Sequence, residues 1–156
     1  MSASDEPTGQ AFVCVGHGTG LVVRGVRAVA WALGDERPGI VFYEPLADGR
    51  RLIPTWSHPA FGLAVGSGSA DVVPGTQVMP IGGAYSIRYT MRDEEVGRYR
   101  LEIRPTWGTR YELCWSEGPA PLLGIGEWLE SERLLVVAWA APAMKSTLAV
   151  SVAREG

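Results

Sequence analysis

The chain has 156 residues, 46% of them hydrophobic and 20% charged, with a formal net charge of −3. That length suits one domain able to bury its own core without a disulfide or metal staple, and the acidic balance argues against a nucleic-acid binder or a polybasic membrane-surface protein. Its 20 glycines and 11 prolines favour short elements and many turns over long helices.

The N-terminus, MSASDEPTGQ, is acidic and polar, unlike the basic start and apolar run of a signal peptide. Residues 1–9 are expected to form a disordered lead-in and residues 10–156 a single domain. No apolar run approaches the roughly 18 residues of a membrane span. Cys14 and Cys114 stand far apart and in no metal-ligand spacing, so free thiols and a cytoplasmic location are expected. Arginine supplies almost all the basic charge, with Lys145 the single lysine, and the arginines are scattered.

Residues 10–16 form a short apolar run that ends in the glycine-rich Gly16-His17-Gly18-Thr19-Gly20. In LVVRGVRAVAWAL (21–33), β-branched residues favour a strand, although Arg24 and Arg27 fall on opposite faces at period two and a helix over 26–34 is the alternative. Turn residues at 34–39 lead to strand candidates at 40–44 and 50–56. Pro54 lies within the second and cannot donate to a ladder, so that strand is predicted to be at an edge, bulged or broken there. Residues 60–83 read as short extended pieces separated by Gly and Pro.

From Ala84 the alternation is regular. Tyr85, Ile87, Tyr89 and Met91 share one face of a strand; Tyr99, Leu101 and Ile103 share one face of the next; Tyr111, Leu113 and Trp115 share one face of a third. Arg, Glu, Ser and Thr occupy the opposite faces, the pattern of an antiparallel meander with one wet side. Turns are predicted at 93–97, 105–109 and 117–121. Residues 121–129 and 133–141 read as a hairpin turning at Glu130–Glu132, against a helix over 126–140. A last strand is predicted at 146–153. Nine or ten strands joined by hairpin-length connections tend to close, and a closed barrel of about eight strands leaves room for side chains or one small ligand. The predicted fold is therefore all-β, a single antiparallel barrel of about 8–10 strands with mostly up-and-down connections.

A weak internal repeat lays Trp31–Pro59 on Trp115–Pro142. Glu44 precedes Trp56 by the same distance as Glu127 precedes Trp139, and a proline follows each later Trp three residues on. The run Gly97-x-Tyr99-x-Leu101-x-Ile103, Tyr111-x-Leu113-x-Trp115, Gly124-Ile125-Gly126 and Arg133-Leu134-x-Val136-x-Ala138-Trp139 resembles the meander of small bacterial β-barrel domains. More widely, it resembles calycin-like barrels such as lipocalins, fatty-acid-binding proteins and avidins, without the Gly-x-Trp signature of lipocalins. The resemblance implies an apolar cavity for a small molecule and carries no catalytic residue.

Few residues offer chemistry. There is no Gly-x-Ser-x-Gly elbow, Walker A or dinucleotide fingerprint, so His17 has no hydrolase or nucleotide context and no cofactor is expected. Two histidines, His17 and His58, are too few for a His-rich metal site. Cys114 falls on the polar face by alternation. On 121–129, Leu123, Ile125, Glu127 and Leu129 share a face. If that face points inward, Glu127 is a carboxylate in an apolar cavity with a raised pKa, suited to acid or base work; if Gly124, Gly126 and Trp128 point inward, Glu127 is in water. Tyr85, Tyr89, Tyr99, Tyr111, Trp115 and Trp139 are the candidate ligand-binding wall.

Three functions fit these residues. The first is binding of an apolar small molecule in an aromatic-lined barrel cavity. The second is a cofactor-independent cyclase or isomerase shaping a polyketide-like substrate, with Glu127 as its acid. The third is a filled barrel acting as a structural or protein-interaction module, with a second copy of the chain as a partner.

Overall fold

The computed structural model describes residues 9–13, 18–33 and 37–154. Residues 1–8 of the expected lead-in 1–9, Cys14 and His17 lie outside the described residues. Among the described residues twelve strands form: β1 (Gln10–Val13), β2 (Gly18–Val23), β3 (Val26–Trp31), β4 (Gly39–Leu46), β5 (Arg51–Ser57), β6 (Ser67–Val72), β7 (Gly83–Met91), β8 (Glu94–Trp107), β9 (Arg110–Ser116), β10 (Leu122–Leu129), β11 (Leu134–Ala140) and β12 (Ala149–Arg154).

Strands β4 to β11 close into an eight-stranded antiparallel barrel in which every neighbour is the next in sequence and β11 returns to β4. The up-and-down barrel expected from the alternation is present. The remaining four strands form a separate sheet in the order β1-β2-β3-β12, an element that the sequence reading had folded into the barrel. This sheet covers the outside of β4, β10 and β11. Leu21, Val23, Val26, Ala28 and Ala30 from the sheet pack on Ile40, Phe42, Leu129, Leu134, Val136 and Ala138 from the wall.

Strands β4 and β11 are therefore buried on both faces. Ile40 to Tyr43 and Leu134 to Ala138 are each no more than 1% exposed. Their outward side chains meet the sheet, while Val41, Tyr43, Leu135 and Val137 point into the barrel. On β7 to β9, by contrast, the outward residues include Arg88, Arg98, Arg100, Glu102, Arg104 and Glu112, and the inward ones are apolar. That polarity is the reverse of a lipid-facing barrel, and no described helix is long and apolar enough to cross a membrane.

Local chemistry explains where the strands differ from expectation. Residues 21–33 are a hairpin, because Arg24 and Gly25 have φ of 49° and 77° and make the two-residue turn whose twist matches its flanking strands. The turn interrupts the period of two, which is why no clean polar face ran through this stretch. Arg92 and Asp93 turn in the same left-handed region, at φ 53° and 67°, so residues 94–97, predicted as a turn, begin β8. Likewise β8 continues through Pro105 to Trp107, and the next turn falls on Gly108 and Thr109. Residues 130–133 turn between β10 and β11, as a hairpin and not a helix. Pro54 acts as expected: the β5–β6 ladder pairs only Arg51–Asp71 and Leu52–Ala70, then resumes as a single bridge between Trp56 and Gly66.

The internal repeat holds for one hairpin. Residues 39–46 and 51–57 correspond to 122–129 and 134–140 at a constant offset, and the register is shared: Glu44 pairs with Ile53 and Glu127 with Val136. The repeat fails at Trp31, which lies in the covering sheet.

The middle of the barrel is solid. Leu52, Ala70, Ile87, Leu101, Leu113, Leu135 and Val137 belong to one buried cluster inside it. One end is plugged by Ile81, fully buried, and by Tyr85, whose hydroxyl donates to the Gly49 carbonyl at 2.7 Å and also lies 3.2 Å from the Gly82 carbonyl. The other end remains open.

Candidate functional site

In an up-and-down barrel alternate strands run in the same direction, so β5, β7, β9 and β11 all finish at the open end. Each brings an inward aromatic residue there: Trp56, Tyr89, Trp115 and Trp139. Strands β8 and β10 begin there and add Tyr99 and Leu122. The turn after β5 adds His58 and Phe61, and the bulged start of β8 adds Val96. Together they line a bowl of about 270 Å³.

The rings are set by their neighbours. Trp56 meets Phe61 edge-on at 5.4 Å and 84°, and meets Tyr89 at 6.1 Å and 78°. Tyr89 meets Tyr99 at 6.0 Å and 68°. These are the edge-to-face arrangements that ring quadrupoles prefer. His58 lies flat on Trp139 at 5.0 Å and 21°. Its Nδ1 accepts from the Ala60 N–H at 3.0 Å, which caps the short turn Pro59–Phe61 and leaves the ring proton on Nε2.

Glycines make this packing feasible. The Trp139 ring crosses Gly39 of the adjacent strand, the Trp56 ring crosses Gly66, and the Trp115 ring lies over Gly124; a Cβ at any of the three would strike the ring. Tyr99 crosses Gly118 in the same way.

Under the rings is a polar chain. The Trp115 Nε1–H donates to the Tyr89 hydroxyl at 2.7 Å, and the Tyr89 and Tyr43 hydroxyls are 2.5 Å apart. Burial, more than any other cause, pushes both phenols well above their ordinary pKa. Each is a neutral hydrogen-bonding group and not a base at physiological pH. A phenol whose pKa is raised on folding contributes stability that is fully present below the unfolded value near 10 and is lost as pH rises towards the folded value. In an alkaline titration, Tyr99 and Tyr111, whose pKa values burial also raises, are expected to ionise in the folded protein. Tyr43 and Tyr89 are expected to give phenolate absorbance only as near-ultraviolet circular dichroism is lost. All five tyrosines ionising before any unfolding would contradict the buried pair.

Four of the six residues proposed from sequence as a ligand-binding wall meet in the bowl: Tyr89, Tyr99, Trp115 and Trp139. Tyr85 and Tyr111 share the inner face but sit at the opposite, plugged end, so they line no part of the bowl. Glu127 lies on the outer face. Gly124, Gly126 and Trp128 are the inward residues of β10, because Trp115, Leu113, Leu135 and Val137 occupy the space above the two glycines. Glu127 instead accepts from Thr109 Oγ1 and pairs with Arg110 at 3.8 Å, so it is not a carboxylate inside an apolar cavity. Its repeat counterpart, Glu44, is also outward, 3.9 Å from Arg24. Cys114 is half-buried on the outer wall, in a groove shared with Arg100, Glu102, Arg104 and Glu112. Among the described residues no group of three or more His, Cys, Asp or Glu side chains gathers to hold a metal.

Trp56, His58 and Phe61 were not nominated from sequence. The repeat carried a signal for the first, since it paired Trp56 with Trp139. His58 and Phe61 reach the bowl through a turn that has no periodic pattern.

The chain matches no protein-family model, no curated protein and no solved structure. The geometry of the bowl therefore carries the functional argument alone.

Proposed function

We propose that this protein binds an apolar small molecule in the aromatic bowl at the open end of its barrel. The observation that carries the reading is the convergence of Trp56, Phe61, Tyr89, Tyr99, Trp115 and Trp139 on one concave space. A packed core would bring such rings together without leaving a hollow. Here the rings leave a volume that only a ligand or water fills, lined largely by carbon, with His58, two tyrosines and the Trp139 indole N–H among its polar groups. The site differs from the hollow interior expected of calycin-like barrels, since the interior is filled and only the mouth is free.

No described carboxylate lines the bowl, so the reading is binding and not acid–base turnover through Glu127. Cys114 is a free thiol, which supports a reducing, cytoplasmic setting. The filled core also fits an interaction module, and Trp107, 81% exposed at the β8–β9 tip, is the residue such a module would present.

The neutral fluorescent probe N-phenyl-1-naphthylamine separates these readings. One bound probe per chain is expected. Trp139→Ala should weaken it by about tenfold, the equivalent of roughly 1.4 kcal/mol of lost ring contact, while Trp107→Ala should leave it unchanged. Equal affinity in wild type and Trp139→Ala would remove the bowl as the site.

A further inference from the structure

We propose that the floor of the bowl is a hydrogen-bond-donating subsite for a neutral carbonyl oxygen, with Tyr89 as the donor. The ligand is then an apolar ring system carrying a ketone, aldehyde or similar acceptor. This inference deepens the binding reading above and rests on it.

The argument is a count of protons. The indole N–H of Trp115 is a donor only, and its partner is the Tyr89 oxygen at 2.7 Å. Two phenolic protons remain for one contact, between Tyr43 and Tyr89 at 2.5 Å. If Tyr89 donated to Tyr43, the proton of Tyr43 would have no acceptor, on a side chain that is 0% exposed. Buried donors are rarely left in that state. If Tyr43 donates to Tyr89, both buried protons are used. The proton left over belongs to Tyr89, a residue that lines the bowl. The Tyr89 oxygen then accepts two hydrogen bonds and gives one, an arrangement that polarises its own O–H and strengthens it as a donor.

The rest of the lining selects the acceptor. Among the described residues no Arg or Lys lines the bowl, so a carboxylate or phosphate would be stripped of water without a counter-charge from them. Its other side-chain protons include those of the Tyr99 hydroxyl and the Trp139 indole N–H. A carbonyl oxygen, which accepts and carries no charge, matches this set.

The test uses acetylnaphthalene and its hydrocarbon isostere isopropylnaphthalene, with quenching of tryptophan fluorescence as the readout. The wild type is expected to prefer the ketone by roughly five- to tenfold, the range of one net hydrogen bond. Tyr89→Phe should bind the hydrocarbon as the wild type does and lose the preference. Tyr43→Phe, which leaves the Tyr89 proton in place, should keep it. A ketone bound no tighter than the hydrocarbon, or a preference that survives in Tyr89→Phe, would overturn the inference and leave the bowl standing. If neither compound binds, the bowl and the inference both fall. Should Tyr89→Phe fail to fold, the infrared carbonyl stretch of the ketone bound to wild type decides: a shift to lower frequency than in hexane supports the donor, and an unshifted band overturns it.

Discussion

Replacing Trp115 by alanine is expected to destabilise the protein by about 3–5 kcal/mol, the range for deleting a large aromatic side chain from a packed core. That is a large part of the roughly 5–15 kcal/mol that holds a typical domain together. Three things are lost together. The ring is only 2% exposed and fills the space above Gly124. It packs beside Trp139, with centroids 6.4 Å apart. Its Nε1–H is also the donor that reaches Tyr89. Trp107 provides the control: at 81% exposure, its replacement by alanine should change stability by no more than about 0.5 kcal/mol. Urea unfolding of the two variants measures both. A cost below about 1 kcal/mol for Trp115→Ala would mean that the barrel is not filled around this ring.

The second large effect is expected at glycines, and it separates two that look alike. Alanine at Gly66 puts a methyl group into the Trp56 ring, and alanine at Gly39 puts one into the Trp139 ring. The difference lies in whether the ring can yield. Trp56 is 4% exposed and its Nε1–H is bonded to the Ser67 carbonyl at 2.9 Å. It cannot move without breaking that bond, so Gly66→Ala should cost about 1–3 kcal/mol or more. Trp139 is half-buried at the rim and rests on His58. It can swing outward, so Gly39→Ala should cost less stability and instead spoil the bowl, with probe affinity reduced by about the tenfold expected for Trp139→Ala. Thermal unfolding and probe titration of both variants give the comparison. Equal destabilisation by the two would show that the rim is as rigid as the wall.

These residues also show how much of the fold was legible. On β7 to β9 the alternation assigned the inner face correctly, because one side of each strand is wet and the other dry. It did not say which end of the barrel an inward residue occupies. Tyr85 and Tyr89 share a face, yet one helps plug the closed end and the other lines the bowl. The information was present in position along the strand: late residues of β7 and β9 and early residues of β8 must meet at one end of an up-and-down barrel. Applied to Tyr89, Trp115 and Tyr99, that rule assembles half of the six aromatic residues that line the bowl.

The covering sheet left a different trace. IVFY at 40–43 and LLVVA at 134–138 are continuous apolar runs, the pattern of strands dry on both faces, and each was read as an ordinary barrel strand. The face of β10 was not legible at all, because glycines point inward only where rings from neighbouring strands claim their space. Glu127 is placed outside by Trp115 and by the residues of β11, not by anything in its own strand.

The central claim is that the bowl holds a small apolar molecule, and native mass spectrometry of the protein purified from its own host tests it most directly. The account predicts a species heavier than the bare chain by the mass of one small molecule, released on denaturation and less abundant in Trp139→Ala prepared in the same way. A bare chain from the host, together with no uptake of N-phenyl-1-naphthylamine by the wild type, would contradict it.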